Sequence, residues 1–298
     1  MLIALLLAMQ PPAAPPPAAA QNPSPMVESS RVHERLAPRE LAGVRRTFAG
    51  PLDKPVEVFV PAGTRHARAL RLVVHFHGGA FVPEYAVSRL GHDAVAAVVN
   101  LAPGSGVYDR TFSDPAAFDS LLAGVAREAS GALGTEARFA HVTLVGFSAG
   151  HGAVRAILRD SAHFARVDAV LLLDGMHTSY VPEGGQLATG ATLDARNLEA
   201  FARFAQAAVR GEKRFLVTHS EIFPGTFAST TETADWLLAA LGLRRTPVLR
   251  WGPRGMQQTS EARRGRFALL GFAGNSAPDH VDQLQAMPEL LRTLDGLR

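Results

Sequence analysis

Residues 141–160 read HVTLVGFSAGHGAVRAILRD. The first residues, His141 to Gly146, are rich in β-branched and apolar side chains and read as a strand. Ala149 to Asp160 is rich in helix formers and reads as a helix. Between them Gly146-Phe147-Ser148-Ala149-Gly150 matches G-x-S-x-G. In an Ala/Gly-rich chain that pattern arises by chance, as a glycine turn with an incidental serine. A strand before it and a helix after it give it meaning. A serine on a sharp strand-to-helix turn sits in a strained backbone conformation. The positions two residues to either side must then be glycine, because a Cβ there collides with the neighbouring strand or helix. The turn also sets Ser148 near a helix N-terminus, where free N–H groups and the helix dipole favour negative charge.

Working outward, strand-like and helix-like stretches alternate. Val56 to Val60 and Ala69 to Phe76 are apolar, β-branched runs of the kind buried on both faces of a parallel sheet. Ala94 to Leu101 reads as a further strand or as a buried helix. Pro115 to Leu133 is helical by the three- and four-residue spacing of Phe118, Leu121, Leu122 and Val125. Val167 to Leu173, Phe215 to Thr218, Pro247 to Trp251 and Phe267 to Phe272 read as strands. Asn197 to Val209 reads as an amphipathic helix, and a last helix is expected over Val281 to Leu294. Ser229 and Glu232 have capping-box spacing before Trp236-Leu237-Leu238. The alternation predicts an α/β fold, with a mostly parallel central sheet and helices on both faces. The Gly-rich segment Thr178 to Thr192 is the expected inserted loop or small lid.

A second motif closes the strand that ends at Phe76: His75-Phe76-His77-Gly78-Gly79-Ala80-Phe81. With this loop and the Ser148 turn, the chain resembles the α/β-hydrolase superfamily, in particular esterases and lipases with an HGGG-type loop. The resemblance covers roughly residues 44 to 296. It implies the α/β-hydrolase fold and cleavage of a carboxylic ester by a Ser-His-acid triad through an acyl-enzyme, without a cofactor. It also implies an oxyanion hole made of the Ala149 N–H with that of Gly79 or Ala80. Ala80 replaces the third glycine of the family loop. The family order is serine, acid, histidine, with the histidine after the last core strand. His280, the only histidine beyond His219, fits that place. Its alternative reading is a helix-start residue beside a capping Asp279. His77 is expected to shape the loop.

Two carboxylates compete for the acid. The usual aspartate after the later strand is missing in Phe215 to Pro224, where Glu221 is the nearest carboxylate. Asp174 ends the apolar strand Leu171-Leu172-Leu173, at the sheet edge where open α/β sheets bind ligands, and is preferred. Its alternative reading is a turn residue before Gly175. Loops at Ala102–Ser113, Met176–Thr192 and Ile222–Ser229 are expected to line the pocket. Their Tyr108, Tyr180, Phe223 and Phe227 point to apolar groups, and Asp109 and Arg110 to polar ones.

The 298 residues are 47% hydrophobic and 19% charged, enough for a large core. The sequence pI is about 9.8, while the net charge is only +3. Nearly all the positive charge is arginine, since Lys54 and Lys213 are the only lysines. The arginines are scattered in short doublets, which argues against a nucleic-acid partner. No cysteine is present, so thiolate catalysis, disulfides and cysteine metal sites are excluded. Met1 to Met9 is apolar but too short to span a bilayer. Residues 1–28 are expected to be an export signal or a Pro/Ala-rich tail, and residues 29–298 a single domain. Export to the periplasm or outside is the favoured location, with the cytoplasm as the alternative. The rival readings are a metal hydrolase built on His75, His77, Asp174 and His177, a non-catalytic binding protein of the same fold, and an acyltransferase or peptidase on the same triad.

Overall fold

The apolar runs form the middle of a ten-stranded sheet in the computed structural model, which describes residues 32–65, 67–185 and 187–298. The expected export signal or tail over residues 1–28 lies outside the described residues. In chain order the strands are β1 (Gly43–Ala49), β2 (Pro55–Pro61), β3 (Leu70–Phe76), β4 (Ala94–Val99), β5 (Phe139–Phe147) and β6 (Ala169–Leu173). There follow β7 (Tyr180–Val181), β8 (Thr192–Leu193), β9 (Arg214–His219), β10 (Thr246–Trp251), β11 (Gln257–Arg264) and β12 (Phe267–Phe272). The helices are α1 (Phe81–Val87), α2 (Ser105–Phe112), α3 (Pro115–Leu133), α4 (His151–Arg159), α5 (Ser161–Arg166), α6 (Glu199–Val209), α7 (Thr230–Ala240), α8 (Ala277–Gln285) and α9 (Met287–Asp295).

The sheet runs in the order β1-β2-β4-β3-β5-β6-β9-β12-β11-β10. From β4 to β12 all neighbours are parallel, and the strands at both edges are antiparallel. Alternate side chains of each central strand enter opposite cores. Leu72, Val74 and Phe76 of β3 pack with α3, α4 and α6, whereas Val73 packs with α1 and α9. Ala94 to Val99 is a strand and not a helix, because it is held between β2 and β3 and buried on both faces. α3 has the predicted bounds. The Asp114 side chain accepts from the Ala116 N–H at its start, and Gly134 at φ +68 ends it.

Several features depart from the sequence reading. The expected loop Ala102–Ser113 carries the helix α2, and β1 and α1 are elements that the sequence reading does not contain. The single final helix is two, α8 and α9, because Pro288 in the first turn of α9 cannot continue the α8 ladder. β11 was not expected. Its QQTSEARR lacks apolar alternation, yet it pairs between β12 and β10. The Thr178–Thr192 insertion carries the small β7–β8 ribbon.

Register places the ends of the parallel strands side by side. Gly146 of β5 lies opposite Phe76 and Leu172, Leu173 opposite Phe147 and Thr218, and His219 opposite Gly271. The turns that leave this edge carry His77, Ser148, Asp174 and Ser220, and the loop after β12 leads into α8, which carries His280.

Candidate active site

Ser148 follows β5 at φ +47, in the left-handed region that a residue with a Cβ rarely adopts. The glycines around it make this possible. A Cβ on Gly150 would overlap the Phe76 carbonyl oxygen, and one on Gly146 would come within 3.1 Å of the His151 nitrogen. The Asp174 turn presses in from the other side. A Cβ on Gly175 would lie 2.9 Å from the Ser148 nitrogen. The serine turn and the acid turn are therefore in near backbone contact.

Asp174 follows β6, also in the left-handed region at φ +44, and is fully buried. Its Oδ1 accepts from the Ser220 N–H at 2.9 Å and from the Thr230 hydroxyl at 2.6 Å. Its Oδ2 accepts from the Ser220 hydroxyl at 2.7 Å and lies 2.7 Å from Nδ1 of His280. Burial alone pushes this carboxyl up. The hydrogen bond and charge of His280, with the Ser220 and Thr230 hydroxyls, outweigh it and hold Asp174 below the ordinary carboxylate value. Glu221, next in the chain to Ser220, is exposed, and its carboxylate makes none of these hydrogen bonds.

His280 sits in the first turn of α8, where two capping interactions fix the chain. Ser276 Oγ accepts from the Asp279 N–H, and the Asp279 carboxylate accepts from the Ser276 N–H at 3.1 Å. Asp279 thus caps the helix, and the next residue turns its ring toward Asp174. Phe147 supports that ring, with centroids 4.6 Å apart, and stacks on His77 with centroids 6.2 Å apart.

The loop after β3 is tied down separately. Asn100 accepts from the Gly78 N–H and donates to the Gly78 carbonyl, both at 2.9 Å. His77, at φ +70, meets the Tyr108 hydroxyl at 3.1 Å. Burial and the neighbouring His280 keep His77 below the ordinary histidine value. With the Gly78 amide engaged, Gly79 and Ala80 are left. Their N–H groups meet no acceptor among the described residues. Ala149 occupies the second position of the helical turn after β5, where the amide has no partner within the helix.

Ser148 lies on the wall of two cavities. One, of about 300 Å³, includes Ile222, Pro224, Thr230, Asn275 and His280. The other, of about 550 Å³, includes Gly104, Ser105, Ala149, Arg155, Thr178 and Asn197. His177 and Phe227 belong to both walls and pack edge to face at 5.0 Å. The three loops expected to line the site do so, but not through all the expected residues. Tyr108 is fully buried, its hydroxyl accepting from the Leu101 N–H, and Tyr180 is buried with its hydroxyl on Glu232. Asp109 is bound by Arg155 and Arg159. Phe227 is the expected aromatic residue that faces the cavities. Among the described residues, His75, His77, Asp174 and His177 do not gather their donor atoms as a metal ligand set would. The set that does converge is His33, Asp279 and Asp282.

No family model and no curated protein matches the chain. Solved structures do. A thermophilic, thermostable carboxylesterase cloned from a metagenomic library is 16% identical, over 86% of this chain and 90% of that one, with a TM-score of 0.49. An ester hydrolase from the metagenome of Lake Arreo is 16% identical, over 87% and 84%, with a TM-score of 0.47. An esterase of the planctomycete Thermogutta terrifontis is 16% identical, over 86% and 94%, also with a TM-score of 0.47. The chain has the α/β-hydrolase fold. Within this chain that assignment rests on the strand order and on the strained serine between β5 and α4.

Sequence reasoning missed several residues of the site. Ser220 and Thr230, which hold Asp174, lie 46 and 56 positions from it, and no local pattern links them. Asn100, one residue past β4, had a faint signal: a polar side chain ending an apolar strand at the edge where the site lies.

Proposed function

We propose that this protein is a serine hydrolase of carboxylic esters, with Ser148 as nucleophile, His280 as general base and Asp174 as the acid that orients it. The observation that carries the reading is the 2.7 Å contact of Asp174 Oδ2 with His280 Nδ1, in a cavity wall that also holds Ser148. With its Nδ1–H donating a hydrogen bond to the Asp174 carboxylate, His280 presents an unprotonated Nε2 to the serine side. Ser148 Oγ then attacks the ester carbonyl carbon while Nε2 takes the hydroxyl proton. The carbonyl oxygen becomes an oxyanion, stabilised by the Ala149 N–H and that of Gly79 or Ala80. When the tetrahedral species collapses, the C–O bond to the alcohol breaks and His280 returns its proton to the leaving oxygen. Water, deprotonated by the same nitrogen, hydrolyses the acyl-enzyme and restores Ser148.

Screening p-nitrophenyl esters of graded chain length against wild type and Ser148→Ala tests this. Release of p-nitrophenol by wild type, lost in the variant, is expected. Equal rates for the two proteins overturn the proposal.

A further inference from the structure

The cavity of about 550 Å³ beside Ser148 has one permanently charged side chain in its wall, Arg155. His151 and His177, in the same wall, are pushed toward their neutral forms by burial. Arg155 is only 8% exposed. Its Nε donates to Asp109 Oδ2 at 2.6 Å, while Nη1 and Nη2 meet no acceptor among the described residues. Asp109 is not a dedicated counter-ion, because the same carboxylate also takes Arg159 Nη1 at 3.1 Å. Two guanidiniums sharing one carboxylate leave a net positive charge, and the next carboxylate that feels Arg155, Asp194, is itself paired with Arg196. The terminal donors of Arg155 open on the cavity, and a planar fork of N–H groups matches a carboxylate in particular.

The surroundings keep this fork in place. Gly152 lets the Ser105 carbonyl lie against α4, since a Cβ there would overlap that oxygen. The start of α2 at Gly104-Ser105-Gly106 is thereby held on the cavity wall, and its free amides add to the positive potential. Ser148, in the turn before α4, and Arg155, in the second turn of α4, line the same cavity. Helical side chains lean toward the N-terminus, which brings the guanidinium back toward the serine.

The proposed mechanism says which part of the substrate lies here. His280 protonates the leaving oxygen, so the alcohol sits on the His280 side, in the smaller cavity. The acyl part then extends into the larger one. We infer that Arg155 selects esters whose acyl group ends in a carboxylate, that is, monoesters of short dicarboxylic acids. This rests on the ester-hydrolase reading.

The test compares kcat/KM for the monomethyl esters of succinate, glutarate and adipate with those for neutral methyl esters of equal length, followed by pH-stat. Wild type is expected to prefer the anionic esters. Arg155→Met should lower the ratio of anionic to neutral kcat/KM by about 10- to 100-fold, chiefly through KM, and Arg155→Lys should recover part of it. A merely structural role would lower both rates and leave the ratio unchanged, which overturns the inference. The wild-type protein alone provides a second arm. Free glutarate, but not glutaramide, should bind by titration calorimetry and inhibit cleavage of a neutral ester. Neutral esters cleaved with no anionic preference and no glutarate binding refute the Arg155 site and leave the hydrolase reading standing. Glutarate binding without cleavage of any ester refutes the hydrolase reading and keeps the anion site.

Discussion

Replacing Asp174 by asparagine keeps the shape of the acid turn and removes its charge. Asparagine tolerates the left-handed backbone found there at φ +44. Its carbonyl oxygen can stand where Oδ1 accepts from the Ser220 N–H and the Thr230 hydroxyl. Its NH₂ then stands where Oδ2 met the Ser220 hydroxyl and His280 Nδ1. The Ser220 hydroxyl can rotate and accept. His280 Nδ1 must also accept, which moves the ring proton to Nε2 and leaves nothing to take the proton of Ser148. Such a tautomer reversal costs about 10⁴ in kcat, or ~5.5 kcal/mol of barrier. Stability should fall far less, because, of the donors on Asp174, only the Ser220 O–H loses its acceptor. Asp174→Ala, by contrast, strands several buried donors at ~1–3 kcal/mol each and confuses folding with catalysis. The assay is kcat on p-nitrophenyl butyrate with a denaturation midpoint measured in parallel, and Glu221→Gln as control. Glu221 is exposed, so the control should stay within about twofold of wild type. An asparagine variant within tenfold of wild type, or an equal loss in Glu221→Gln, refutes the assignment of the acid.

Other consequences can be measured directly. Gly150→Ala should lower the melting temperature by roughly 6 °C or more, ~3 kcal/mol at the ~2 °C per kcal/mol of a chain this size, because its Cβ meets the Phe76 backbone, which cannot move aside. Full stability by calorimetry would contradict that contact. Ser276→Ala removes the N-cap of α8 and should cost ~1 kcal/mol in urea unfolding; no change would mean that the cap carries no weight. Buried His75 and His219 are pushed down to about 3 and about 4, each chiefly by burial. A histidine depressed in the folded state contributes stability that is full above the unfolded value of ~6.5 and is lost as pH falls toward the folded value. Urea midpoints should therefore be level above pH ~7 and fall below ~6, and His75→Leu should flatten the fall by up to ~1.4 kcal/mol per pH unit between pH ~6 and ~4. An unchanged slope would contradict the assigned burial effect.

What could be read in the sequence was local, and what could not was long-range. The Ser148 turn was legible because its strand, glycines and helix are contiguous. The same holds for the Ser229 capping box and for α3. Asp174 was favoured over Glu221 because a carboxylate that ends an apolar strand must emerge at the sheet edge, and the structure sets it against His280. Nothing local marks Ser220 and Thr230 as its partners, because the fold alone brings them to it. Tyr108 and Tyr180 looked like pocket residues from their loops, but their hydroxyls find Leu101 and Glu232, so the rings turn inward. β11 was invisible because neighbouring strands, and not its own polar pattern, make it a strand.

The central claim is that Ser148 is an activated nucleophile, and labelling with a fluorophosphonate tests it most directly. Wild type should gain one phosphonyl group by intact mass, located by peptide sequencing to Ser148, with loss of ester cleavage in step. Ser148→Ala should gain none. A wild-type protein that stays unlabelled, or an adduct on another residue, would contradict the account.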